Sequence, residues 1–103
     1  MATYWLTFRL HEEKISGSSY EQRYQALYKA VERLSARWWV EPTSFITFEA
    51  SATIGTIAAD CKKAIAPTHD VVLIRAMDKQ AAILVGNAED QDIFKLIPYL
   101  KKV

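Results

Sequence analysis

The sequence has one cysteine, Cys61, and only three glycines, three prolines and two histidines among its 103 residues. A single cysteine excludes an intrachain disulfide and a cysteine-cluster zinc site, and it fits a reducing, cytoplasmic setting. With so little glycine there is no Gly-rich phosphate loop, and no stretch reads as a linker, a repeat or a low-complexity segment. An excess of charge is missing too: 13 basic residues face 12 acidic ones, a formal +1. Such balance is no electrostatic footprint for a nucleic acid or an anionic membrane, and it leaves little repulsion between copies of the chain. No apolar run approaches the ~20 residues that cross a bilayer. The first residues alternate in polarity and lack a basic region followed by an apolar stretch, so they read as a strand and not as a signal peptide.

What is present is apolar and aromatic. Half of the residues are hydrophobic and 12% are aromatic, which argues against disorder. A chain of this length buries ~60–70% of its unfolded surface, enough for one domain with one core.

The densest strand-forming stretch runs from Trp38 to Ala50 and reads as two strands parted at Pro42, which cannot donate to a sheet ladder. The first strand spans residues 3–10, with Tyr4, Leu6, Phe8 and Leu10 on one face and Trp5 and Thr7 on the other. After a polar loop, Ser18 followed by Glu21 has the form of a capping box. A helix is expected from about Ser19 to Ser35, with Tyr20, Tyr24, Leu27, Tyr28, Val31 and Leu34 on one stripe. Strands follow over Arg37–Glu41 and Ser44–Ala50. A second helix is expected over about Ala52–Ala66, capped by Ser51, with Cys61 on its apolar stripe as a buried structural thiol. After a turn at 67–70, Val71–Arg75 and Gln80–Val85 are apolar on both faces, as interior strands are. A last helix capped by Asn87 is expected to carry Ile93, Phe94, Ile97 and Leu100, to be bent or ended by Pro98, and to finish at Lys101 and Lys102.

This order predicts an α+β fold: a ferredoxin-like plait, βαββαβ, with an additional C-terminal strand and helix. A plait covered by helices on one side leaves the other side bare. Trp5, Trp39, Phe45 and Ile83 are therefore expected at an interface, and a homodimer stacked sheet to sheet, its fifth strand pairing with the partner's edge, would cover them.

Several local patterns carry a resemblance: Tyr4-Trp5-Leu6-Thr7-Phe8-Arg9-Leu10, the Trp38-Trp39 pair leading into Thr43-Ser44-Phe45-Ile46-Thr47, the helix of 52–66, the turn before Asp70-Val71-Val72-Leu73-Ile74, and the late strand ending at Gly86. Over roughly residues 3–86 the chain resembles the SinR-like branch of the bacterial family that includes the CRISPR adaptation-complex dimer protein and virulence-associated protein D. The resemblance implies a dimer. In the family's nucleases it implies a metal-binding aspartate at the end of the first strand, one from each subunit. Here that position looks like Arg9, and a guanidinium cannot ligate Mg²⁺.

Three functions follow as expectations. The leading one is a dimeric interaction module without catalysis and without a cofactor, associated with nucleic acid through Arg9, Lys29, Arg33 and Arg37, with Arg23 in the same basic run. An alternative is a divergent nuclease using Mg²⁺ or Mn²⁺ held by Glu12 and Glu13 just beyond the first strand. Another is a small-molecule enzyme with a pocket between sheet and helices. Its only support is His11 beside Glu12 and His69 beside Asp70, each a minimal acid–base pair without an evident nucleophile. A loop carboxylate pair is more commonly plain solvated surface, and a histidine in a turn more commonly a cap.

Overall fold

The first strand is the middle of the molecule. In the computed structural model, which describes residues 1–103, β1 (Ala2–Arg9) lies between β3 (Phe45–Ala50) and β4 (Val71–Ala76). The six-stranded sheet is completed by β2 (Arg37–Trp39), β5 (Ala82–Gly86) and β6 (Leu100–Lys102), in the order β2-β3-β1-β4-β5-β6. All neighbours are antiparallel except β5 and β6. The helices are α1 (Tyr20–Leu34), α2 (Ile54–Ala64) and the single turn α3 (Ile93–Leu96).

Alternation decides which face is covered. Tyr4, Leu6 and Phe8 of β1, Ile46 and Phe48 of β3, and Val72 and Ile74 of β4 share one core with Leu27 and Val31 of α1 and Ile57, Ala58 and Cys61 of α2. Both long helices therefore lie on the same side of the sheet. Burying one such aliphatic side chain contributes ~1.5–3 kcal/mol. The tyrosine stripe forms the rim of this core: Tyr24 stacks on Tyr28 with ring centres 4.7 Å apart, and both meet the edge of Phe8. Burial first, then hydrogen bonding and charge coupling with Tyr24 and coupling with Tyr20, raises the Tyr28 phenol well above its usual range.

The helix starts differ from those expected. The box at α1 is Ser19–Gln22: Ser19 Oγ accepts from Gln22 N–H at 3.1 Å, and Gln22 Oε1 accepts from Ser19 N–H at 2.9 Å. Ser18 is already committed. It closes a tight turn with Ile15 through two backbone bonds of 2.9 Å, with Ser16 and Gly17 both at positive φ, the pattern of a type I′ turn. In α2 the cap is Thr53, whose Oγ1 accepts from Thr56 N–H, so the helix begins after the residue expected.

The C-terminal part departs most. Asn87 does not cap a helix; its side chain donates to the Thr68 carbonyl. The helix is one turn long and stops before Pro98. Leu100, Lys101 and Lys102, expected in the helix, form β6 beside Ala82, Ile83 and Leu84. An edge strand presents unpaired N–H and C=O groups, and here the chain's own end satisfies them. No helix is long and apolar enough to cross a membrane.

Candidate functional site

Two regions gather the residues with chemistry: the helix-free face of the sheet, and the loop end beyond β1.

The helix-free face follows from register. Residues directly opposite in antiparallel strands share a face, so Trp39, Thr47, Trp5 and Arg75 form one row and Phe45, Thr7 and Leu73 the next. Trp5 stacks on Phe45 with ring centres 5.9 Å apart. Both are half-buried, and Trp39 is 49% exposed. Arg37 and Glu49 are opposite one another at the β2 side, with Arg37 Nε 3.7 Å from Glu49 Oε1. At the other side the chain covers itself. Ile93 and Ala88 border a cavity of about 360 Å³ with Leu73 and Leu84, and Tyr99 lies beneath the Arg75 guanidinium, 5.2 Å from ring centre to carbon. With Ile83 and Val85 in the core on the helix side, all of β5 is buried. Its double-sided apolar character thus has a source within the chain, and β6 occupies the edge expected to pair with a partner. Ile83 does not belong with Trp5, Trp39 and Phe45: it points into the core between sheet and helices.

The loop end is built around a buried ion pair. Asp70 is fully buried and Arg23 is 2% exposed. Asp70 Oδ2 accepts from Arg23 Nε at 2.9 Å and from Ala66 N–H at 2.8 Å, and Oδ1 accepts from His11 N–H at 2.8 Å. The rest of the guanidinium donates to the carbonyls of Ser18, His11 and Glu13. The Asp70 carbonyl accepts from Asn87 N–H at 2.9 Å. Gly86, at φ +95°, passes so close that a Cβ would collide with that carbonyl oxygen. A buried charge is tolerated when paired and hydrogen-bonded throughout, and no buried side-chain polar atom of the protein lacks a partner.

This arrangement redistributes the expected residues. Arg23 is not part of a solvent-facing basic run. Lys29 and Arg33 are exposed on α1 and share a shallow groove with Lys63 and Asp60 of α2. Arg37 lies on the opposite side of the molecule, on the helix-free face, and Arg9 borders a cavity together with Glu89 and Asp90. The basic candidates do not form one surface. Glu12 and Glu13 are exposed, and nowhere do three or more His, Cys, Asp or Glu side chains converge as metal ligands. His11 and His69 do come together, with ring centres 5.2 Å apart. Asp70, expected as the acid partner of His69, instead has both oxygens taken by Arg23 and two backbone N–H groups. A cavity of about 430 Å³ opens between the β1–α1 loop and the end of α2, but neither histidine lines it.

Cys61 is buried in the core, and burial, helped by Asp60, pushes its thiol up to about 12. Such a thiol is neither nucleophile nor ligand at neutral pH.

The ion pair was missed in the sequence, yet half of it left a signal. Arg23 stands three residues after Tyr20 and four before Leu27, on the buried stripe of α1. Nothing comparable marks Asp70 as its partner. Compared with known proteins, the chain has no match: no family model, no curated relative and no solved structure matches it.

Proposed function

We propose that this chain is a non-catalytic interaction module that pairs with a second copy of itself through the helix-free face of its sheet. The observation that carries the reading is the row of Trp39, Thr47 and Trp5 with Phe45 beside it, Trp39 exposed and the others half-buried, while the same chain covers the adjoining β4–β5 side of that face. Exposed apolar area of this kind marks an interface.

Two features favour a second copy as the occupant. The formal charge of +1 sets up little repulsion between copies. The face carries Arg37 and Arg75 as well as Glu49, so a two-fold operation can oppose unlike charges around an aromatic centre. The molecule measures 37 × 32 × 23 Å. Its thin dimension fits one sheet plus one helix layer, so the whole sheet face spans on the order of 1,000 Å²; with the β4–β5 side covered by the chain itself, the open part makes a small interface against the ~800 Å² per partner of a standard one.

In fold terms we read the β2-β3-β1-β4 part with α1 and α2 as a ferredoxin-like plait, extended by β5, α3 and β6. A relationship to the SinR-like branch belongs to the same proposal. Its support is the order of elements and the local patterns around Trp5, Trp38-Trp39 and Asp70. The nucleic-acid part of the expectation has less behind it, because Arg9, Arg23, Lys29, Arg33 and Arg37 face different directions or are buried. The nuclease alternative has no acid cluster to rest on.

The test is mass in solution. Light scattering at micromolar concentration is expected to give twice the 11.7 kDa of one chain, and Trp5→Glu is expected to give the monomer.

A further inference from the structure

The two histidines of the chain lie far apart in sequence and adjacent in space, and the Arg23–Asp70 pair is what brings them together. His11 N–H donates to Asp70 Oδ1 at 2.8 Å, and the His11 carbonyl accepts from Arg23 Nη2 at 2.6 Å. His69 precedes Asp70 directly, and its N–H donates to the Ala66 carbonyl at 3.0 Å. The backbones beneath both imidazoles are thus tied to one buried carboxylate and its immediate neighbours. Backbone supports of this kind fix where the two side chains start.

We propose that His11 and His69 form a binding site for one zinc-class divalent ion. Ring separation and donor chemistry carry the assignment. A zinc ion ~2.0–2.1 Å from a ring nitrogen sits roughly 3.2 Å from the ring centre, so two imidazoles at a tetrahedral angle have centres ~5.2 Å apart. The observed separation is 5.2 Å, with the rings inclined at 49° and so not stacked face to face. Thr68 Oγ1 lies 2.8 Å from His69 Nδ1. With Nδ1–H donating to that hydroxyl, Nε2 keeps its lone pair for a metal, as in sites where an outer hydrogen bond fixes the ligating tautomer. Two nitrogen donors suit Zn²⁺, Ni²⁺ or Cu²⁺ and not the hard ions Mg²⁺ and Ca²⁺, which take oxygen. No third His, Cys, Asp or Glu completes the set, so water fills the remaining positions and the site stays open on one side. The bound ion clips the β1–α1 loop to the loop between α2 and β4. Because it binds only the folded chain, it stabilises the fold by mass action. The site is independent of the sheet-face pairing.

The test uses the full chain without a polyhistidine tag, titrated with zinc chloride by calorimetry, with imidazole NMR signals followed in parallel. One zinc per chain is expected, with both imidazoles shifting together and the melting temperature rising. His11→Asn and His69→Asn are each expected to weaken binding at least ~10-fold, a loss of the size seen even for outer-shell partners, with Thr68→Val weakening it less. Magnesium chloride is expected to shift neither ring. Both Asn variants keep the backbone bonds that hold the loops, and circular dichroism without metal checks that they fold. Were His11→Asn not to fold, the exposed His69 decides by itself. Absence of saturable binding below ~1 mM zinc, far weaker than protein zinc sites, would overturn the assignment. Native-like binding by His69→Asn, or one zinc per two chains, would overturn it as well.

Discussion

Asp70 ties the β1–α1 loop, α1, the end of α2 and the start of the segment after β5 into one corner, through His11, Arg23, Ala66 and Asn87. Removing the carboxylate leaves the Arg23 guanidinium buried with only carbonyls to meet it. Asp70→Ala is therefore expected to cost ~3–5 kcal/mol of stability in denaturant unfolding. Adding Arg23→Met is expected to recover part of that loss; a double variant as weak as the sum of the singles would show that the two groups do not act as a pair. A second expectation concerns Cys61. Burial raises its thiol from 9.0 to about 12 in the folded chain. A raised acid keeps its proton in the fold after the unfolded chain has lost it, so this contribution is intact below pH ~9 and falls away between pH 9 and 12. Cys61→Ala is expected to flatten the alkaline fall in stability across that window, and an unchanged pH profile would rule the thiol out as its source. At this scale the sequence was only partly legible. The buried stripes of α1 and α2 could be read from their spacing, with Cys61 among them. The Arg23–Asp70 and His11–His69 pairings could not, since no local period links residues brought together by a β-α-β-β-α path.

The elements were legible where pattern and punctuation agreed. β1, α1, β3 and β4 appear within a few residues of the expected positions because alternation, helical spacing and Pro42 all point the same way. Caps were harder. Ser18 and Ser19 are equivalent to a pattern search, and only the Ile15–Ser18 turn decides between them. Ser19→Ala is expected to destabilise the chain by ~0.5–2 kcal/mol, with Ser18→Ala within about 0.5 kcal/mol of native, as surface substitutions usually are; thermal or urea unfolding of the two variants compares them directly. The C-terminal elements were least legible. Ile93, Phe94, Ile97 and Leu100 carry helical spacing, but Pro98 removes a donor, and the unpaired edge of β5 draws Leu100–Lys102 into a parallel strand. Here tertiary demand overrides a local period.

On the scale of the whole molecule, the layout closes one face of the sheet and leaves part of the other open. The helix side is closed by α1 and α2 over a continuous core, and the opposite side is closed only at β4 and β5, by the chain's own end. Trp5, Phe45 and Trp39 occupy what is left. That these residues face away from the helices was legible from the alternation of β1 and β3. That Ile83 belongs to the core, and that the C-terminal segment covers β5, depended on the path of the last residues. Whether the open face joins two copies, as proposed, is decided by static light scattering of the native chain beside Trp5→Glu at micromolar concentration. Twice the chain mass is expected for the native protein and a folded monomer for the variant. A native chain that scatters as one 11.7 kDa unit, or a Trp5→Glu variant that remains a dimer, would contradict it.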